Sequence, residues 1–313
     1  MGKTLILFTI LIFGCCFPIF GQQDAQYTQY MYNTLAVNPA YAGSRDQWGV
    51  SALHRSQWVG LDGAPSTQTF NINGPVTSKL GLGLSIVNDE IGNHTNQNTY
   101  FDATFSYSIK TSETAKLSFG LKAGGHALNI DFNNLRNYSA NVLSPTNTEI
   151  YKKFSPNFGA GIYYHTSSFY MGLSIPNFLK TEHFQESGET TTYIATERMN
   201  WYLISGYVFD LNSSLKFKPA FLFKAIEGAP LQMDLSANFL LNEKFTLGTA
   251  YRWDAAFSGL FGFQMSNQFL LGLAYDHEIT ELGGARFNDG SFEIFLRYEF
   301  IKKEKVDLTP RFF

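Results

Sequence analysis

Cysteine is almost missing from this sequence: there are two, Cys15 and Cys16, both near its start. Past that start, a disulfide framework, a thiol nucleophile and a cysteine-held metal are all excluded. Charge is scarce as well. Charged residues make up 16% of the 313, against roughly 25% in a soluble globular protein. Neither sign dominates, with 23 basic and 26 acidic residues and a net charge of −3. That balance excludes an electrostatic nucleic-acid binder. Beyond the start, no uninterrupted apolar run is long enough for a membrane-spanning helix. What the chain does have is aromatic residues, at 16%, with 30 Phe and 17 Tyr. This abundance rules out disorder. A chain rich in strand formers and poor in soluble surface fits a membrane β-barrel best. Its length admits one large domain or two small ones.

Residues 1–21 read as a cleaved secretory signal. Lys3 supplies the positive region, Thr4 to Phe13 the apolar run, and Gly21 a small residue before polar Gln22-Gln23-Asp24. Ile12-Phe13-Gly14-Cys15 is a poor approximation to a lipoprotein cleavage box, the competing reading. A transmembrane helix fits less well, because the apolar run is short and Pro18 breaks it. A cut after Gly21 removes both cysteines and Lys3, leaving 22 basic against 26 acidic residues, a net charge of −4. An exported chain without helices can still cross a membrane, because a closed barrel satisfies every backbone hydrogen bond.

Period-2 alternation supports that architecture. Phe269, Leu271, Leu273 and Tyr275 share one face, and Leu270, Gly272, Ala274 and Asp276 the other. Phe292, Ile294, Leu296, Tyr298 and Phe300 oppose Glu293, Phe295, Arg297 and Glu299. A soluble sandwich alternates too, so the pattern alone cannot separate the two folds. Connection lengths help. Strands are expected near 46–56, 66–74, 79–89, 97–110, 114–126, 155–166, 168–176, 199–209, 214–225, 231–241, 243–253, 255–265, 268–277 and 291–300. Along most of the chain short turns, such as Pro75-Val76-Thr77 and Ser266-Asn267, alternate with longer loops at 57–65, 90–96, 127–154, 177–198 and 278–290, with two compact exceptions at 226–230 and Asp254. Short turns on one side, long loops on the other and an even strand count describe an outer-membrane barrel. The expected fold is therefore an all-β transmembrane antiparallel barrel of about fourteen strands over residues 46–300, a single domain. Both ends then lie in the periplasm, with residues 301–313 as a tail, and the long loops lie outside the cell. Pro219 within the ninth strand counts against that one assignment.

The inward set mixes Lys116, Lys122, Lys216, Lys218 and Lys224 with Asp102, Glu293 and Glu299. Such a lumen must hold water, ion pairs or a plug, since unpaired buried charge is costly. Residues 22–45 are the candidate plug. The aromatic, amide-rich run Gln26-Tyr27-Thr28-Gln29-Tyr30-Met31-Tyr32-Asn33 precedes the turn formers Asn38-Pro39-Ala40-Tyr41-Ala42-Gly43. A disordered periplasmic leader is the other reading of this stretch.

Two of these stretches resemble a known family. Gln26-Tyr27-Thr28-Gln29-Tyr30, running on through Val37-Asn38-Pro39-Ala40-Tyr41-Ala42-Gly43, is similar to the opening of the PorP/SprF proteins. Arg55-Ser56-Gln57-Trp58-Val59-Gly60-Leu61-Asp62-Gly63-Ala64-Pro65-Ser66-Thr67-Gln68 resembles their RxQW…G.P.T signature. Asn88-Asp89-Glu90-Ile91-Gly92, Asp131-Phe132-Asn133 and the terminal Thr309-Pro310-Arg311-Phe312-Phe313 match further. The resemblance spans the mature chain and implies an outer-membrane protein of the type IX secretion system. It further implies work with a large secreted surface protein, such as a gliding adhesin, in its secretion or attachment. Other components of that system and outer-membrane lipid are the remaining expected partners.

A non-enzymatic barrel that binds the C-terminal domain of the secreted protein is the leading expectation. Its candidate partner-binding loop is carried by Arg55, Gln57, Trp58, Gly60, Gly63 and Pro65, because a Trp flanked by Gly and Pro makes a rigid anchor. Trp58 can equally belong to an interfacial aromatic girdle. Pro310, Arg311, Phe312 and Phe313 form a candidate link to periplasmic machinery. A channel for hydrophobic compounds is the alternative, because Asn38-Pro39-Ala40 is similar to the hatch motif of FadL-type transporters. His54 and Ser56, two apart on one strand face, raise a hydrolase reading. Nothing in the sequence orients that His. The six histidines lack metal-ligand spacing, and no cofactor is expected.

Overall fold

The computed structural model describes residues 25–131, 150–179, 182–187, 190–196, 199–226, 229–284 and 287–301. Seventeen strands account for most of them. The first seven are β1 (Gly49–Ser56), β2 (Ser66–Pro75), β3 (Leu80–Ile91), β4 (Asn96–Lys110), β5 (Lys116–Asp131), β6 (Ile150–His165) and β7 (Phe169–Ile175). A separate hairpin follows, β8 (Glu182–Ser187) with β9 (Thr190–Thr196). Then come β10 (Asn200–Tyr207), β11 (Phe209–Asn212), β12 (Leu215–Ile226), β13 (Gln232–Leu241) and β14 (Phe245–Arg252). The last three are β15 (Ala256–Gln264), β16 (Phe269–Glu278) and β17 (Ser291–Glu299).

All but β8 and β9 belong to one antiparallel sheet in which sequential strands are neighbours. It closes twice over: β17 pairs with β1, and β10 pairs with both β7 and β12. β10 and β11 are two pieces of one barrel strand, so the closed barrel has fourteen strands, as expected. Closure leaves no unpaired sheet edge, the condition for crossing lipid with strands.

Burial settles what alternation left open. Leu121 is 64% exposed while its neighbour Lys122 is 7% exposed, and the same inversion runs round the wall. Outward residues are Phe, Leu, Ile and Tyr, and inward ones are Ser, Thr, Asn, Lys, Arg and acids. A soluble sandwich shows the opposite arrangement. Apolar residues facing out and polar residues facing in is the signature of a barrel in a bilayer. Aromatic pairs on the outer face, such as Phe217 with Phe239 and Phe245 with Phe263, add cross-strand packing near the short turns.

Several boundaries differ from the sequence expectation. The first strand begins at Gly49 rather than at 46, because the preceding residues form turns. β5 and β6 extend to Asp131 and back to Ile150, beyond the expected limits of 126 and 155. There the outward positions turn polar, with Asn129 Nδ2 donating to Gln97 Oε1 at 3.3 Å, so no apolar stripe marks the strand. The loop expected across 177–198 carries the β8–β9 hairpin instead. Its visible signal is the run of strand formers, three Thr, Tyr193 and Ile194, over 190–194. Pro219 does lie in a central strand. The neighbouring ladder is interrupted beside it, between the pairs Gly206–Ala220 and Phe209–Phe217, so the missing N–H has no bond to break.

Candidate functional site

Ahead of β1, the chain packs against the inward faces of strands on every side of the barrel. Among its described residues the regular pieces are a single helical turn, Thr34–Val37, and a 3-10 turn, Pro39–Tyr41. Asn38 separates them. Its Oδ1 accepts from the Ala40 N–H at 2.9 Å, and Pro39 opens the turn with a fixed φ and no N–H to satisfy. Buried side chains of this segment form the interior with residues of the wall: Tyr30, Leu35, Val37, Ala40, Tyr41 and Ala42 meet Tyr163, Tyr170, Ile204 and Leu222.

On the β16–β17–β1 side an ionic cluster lies beside an apolar one, in which Tyr32 stacks on Phe295 at 5.3 Å with Leu53 and Leu270 packed around them. Arg55, 1% exposed, donates to Asp276 at 2.6 Å, to Glu293 at 3.3 Å and to Thr28 Oγ1 at 2.8 Å. Glu293 in turn accepts the backbone N–H groups of Thr28 (2.9 Å) and Gln29 (2.8 Å). Thr28 Oγ1 donates to Asp276 at 2.6 Å. These three charges come from three adjacent strands and meet at the segment, Glu293 on two of its backbone amides and Arg55 and Asp276 on the Thr28 hydroxyl. Such charge-assisted bonds are about twice as strong as neutral ones. Next to them, Arg252 pairs with Asp234 at 3.0 Å and donates to Gln26 Oε1 at 3.1 Å and the Tyr27 carbonyl at 3.4 Å.

On the β4–β7 side the buried contacts are close and uncharged, and the ion pair of Lys116 with Asp46 at 2.6 Å is partly exposed. Ser106 Oγ donates to the Ala42 carbonyl at 2.6 Å, and Ser174 Oγ to the Val37 carbonyl at 2.7 Å. Asn38 Nδ2 donates to the Ile162 carbonyl at 3.0 Å. Gly120 permits this approach: a Cβ there would stand 2.1 Å from the Ala40 nitrogen. Gly161 and Gly172 likewise make room for the Asn38 side chain.

The other expected segment residues join the same surface. The Tyr27 hydroxyl meets Thr69 Oγ1 at 3.1 Å, and Tyr41 packs edge-on to Tyr163 at 5.6 Å. Burial raises the Tyr27 hydroxyl pKa, only partly opposed by the Thr69 bond, and burial raises that of Tyr30, so both stay neutral. Gln29 is fully buried against Gly272, and Gly43, at φ 72°, lies on Gly81.

The candidate partner loop divides. Arg55 and Gln57 point inward and are buried, so neither belongs to a loop surface; the RxQW stretch crosses from strand to loop between them and Trp58. Trp58 is half-buried, with φ 45°, and its Nε1 donates to Glu278 Oε1 at 3.2 Å. That bond ties it to the end of β16 and leaves it partly covered. Gly60 and Gly63, at φ 97° and 74°, let the loop pack on the Phe287 carbonyl and on Gly92, while the Pro65 carbonyl accepts from the Gln57 N–H at 2.9 Å. Pro310, Arg311, Phe312 and Phe313 lie outside the described residues, as do Phe132 and Asn133.

His54 and Ser56 do meet, at 3.1 Å, on the exposed outer face. The group on His54 Nδ1 is the Gln68 amide at 3.4 Å, which cannot stabilise an imidazolium as a carboxylate does. Sequence reasoning marks Glu293 as inward but misses its bond to the segment, and it does not single out Asp276, Asp234 or Arg252. Inward parity combined with opposite charge on neighbouring strands is the signal that finds them.

A closed antiparallel barrel with an apolar outside and a charged inside is an outer-membrane β-barrel. Solved structures agree on that fold. The Ralstonia pickettii toluene transporter TbuX matches with a TM-score of 0.50 at 8% identity, over 85% of this chain and 92% of that one. The CymD monoaromatic hydrocarbon channel matches at 0.51 and 10% identity, over 90% and 95%. At such identities the likeness is one of fold alone. The family is given by sequence: residues 19–298 match the model for the type IX secretion system membrane protein PorP/SprF. The chain belongs to that family and is an outer-membrane protein. No curated protein matches it.

Proposed function

We propose that this barrel is a non-enzymatic partner of a large type IX-secreted surface protein, holding that protein's C-terminal domain during secretion or attachment. In this reading residues 1–21 are removed on export and residues 22–45 plug the lumen. Both ends lie in the periplasm, where Pro310 to Phe313 meet other components of the system. The long loops face outward, and the 57–65 loop, with Trp58, Gly60, Gly63 and Pro65, offers a rigid partner surface. The observation that carries the reading is the family match over 19–298, and the bonds of Thr28 and Gln29 to Glu293 support the plug.

Affinity purification of the tagged barrel from its native outer membrane in mild detergent tests this. One large secreted protein is expected to co-purify, and truncating its C-terminal domain should abolish capture. A barrel recovered alone with bound lipid or fatty acid overturns the proposal in favour of a FadL-like channel. The fold shared with hydrocarbon channels motivates that alternative. The buried Arg55, Lys122, Lys218 and Arg252 weigh against it, since charge does not favour a hydrocarbon path.

A further inference from the structure

At the short-turn end, the inside of the barrel opens into a pocket of about 310 Å³. It lies between the β13–β14 turn, the β15–β16 turn and the N-terminal segment at Tyr32 and Arg45. Four cations line it, Arg45, Lys216, Lys244 and Arg297, against two carboxylates, Glu243 and Glu299. Both carboxylates already have partners. Glu299 accepts from Gln47 Nε2 at 2.6 Å and pairs with Arg45, and Glu243 lies 3.5 Å from Lys216.

Arg297 is the unusual member. It is 6% exposed, and its guanidinium lies 5.7 Å from the Tyr32 ring centroid and 5.0 Å from that of Phe295. Its Nη2 donates to the Tyr32 carbonyl at 2.5 Å. Its Nη1 meets no acceptor among the described residues. A buried donor left unmade costs free energy, and a charged one costs more. Here that donor belongs to a residue lining an open, net-positive pocket whose walls also carry the amide donors of Asn267 and Gln268. Low-dielectric walls focus such a field, which attracts anions and repels metal cations. Guanidinium forks, lysine and amide donors together suit a phosphate-type oxyanion. Lys216 also lies 3.5 Å from Asp210, so Arg297 and Lys244 are the cations without an ion pair among the described residues, and two such charges match a dianion better than a single carboxylate.

We propose that this pocket binds a phosphate-type oxyanion, free or as the end of a phosphorylated sugar or lipid headgroup, with Arg297 as its deepest donor. The pocket is large enough for a phosphoryl group with a sugar attached and too small for a protein domain.

The test is calorimetric titration of the full-length barrel, purified in a non-ionic detergent, with inorganic phosphate, glucosamine phosphate and short-chain phosphatidic acid in parallel. Saturable binding of at least one is expected. Arg297→Gln should weaken it by roughly tenfold or more, as loss of a charge-assisted donor implies. Because Arg297 also holds Tyr32, a second variant guards against misfolding: Lys244→Gln, at an exposed turn, should weaken binding by about two- to fivefold. Equal affinity for inorganic and sugar phosphate assigns the site to a free phosphoryl group, and preference for phosphatidic acid assigns it to a headgroup. No saturable binding of any probe, or binding unchanged in both variants, overturns the proposal.

Discussion

The two sides of the lumen hold the N-terminal segment by different physics. On the β16–β17–β1 side a buried arginine and two carboxylates converge on the Thr28 hydroxyl and two backbone amides. On the β4–β7 side there is no such cluster: a glycine lets backbone meet backbone, and two serines and Asn38 make single neutral bonds. Charges act over distance and demand complete pairing, so that side is strong but sensitive to losing one member. Close packing is sensitive to volume instead. A segment held both ways has a fixed position as well as a fixed register.

The comparison can be broken from either side. Deleting residues 25–47 should have the largest effect, turning a poorly conducting barrel into one with a stable open conductance in planar bilayers, because the exposed inner charges then hydrate. Unchanged conductance would mean that the segment does not obstruct the lumen. Arg55→Met should come next, costing about 3–5 kcal/mol by stranding two buried carboxylates. Denaturant unfolding in detergent would measure it, and adding Asp276→Asn and Glu293→Gln should recover most of the loss. Gly120→Val should cost about 1–3 kcal/mol through overpacking against Ala40. It should also open Arg45 to trypsin, at which the parent chain, with that side chain mostly buried, should be cut slowly. Ser106→Ala removes one neutral bond and should cost only about 1 kcal/mol. If the serine change matched the arginine change, the two sides would not differ as described.

Much of the wall is legible in the amino-acid sequence. The outward row of β17 and the inward placement of Lys122, Lys218, Lys224 and Glu293 follow from period-2 alternation, which is local. The far end of β5 is not legible, because there the outward Asn129 and Asp131 are polar while the inward Leu128 and Ile130 are apolar, the reverse of the wall pattern below. Arg55 looks like part of a loop signature because its neighbours Gln57 to Pro65 are turn-forming. Its burial depends on parity within β1, whose start lies three residues beyond the one that alternation suggests.

Alternation, loop lengths and charge scarcity thus determined by themselves that this chain is a closed barrel with a polar interior, since each is a property of neighbours along the chain. Which inward groups meet was decided only in three dimensions. Glu293 finds the Thr28 amide across 265 residues, and Arg55 finds Asp276 across 221. Those distances collapse only when β17 pairs with β1, and that closure depends on the number, tilt and stagger of all the strands together.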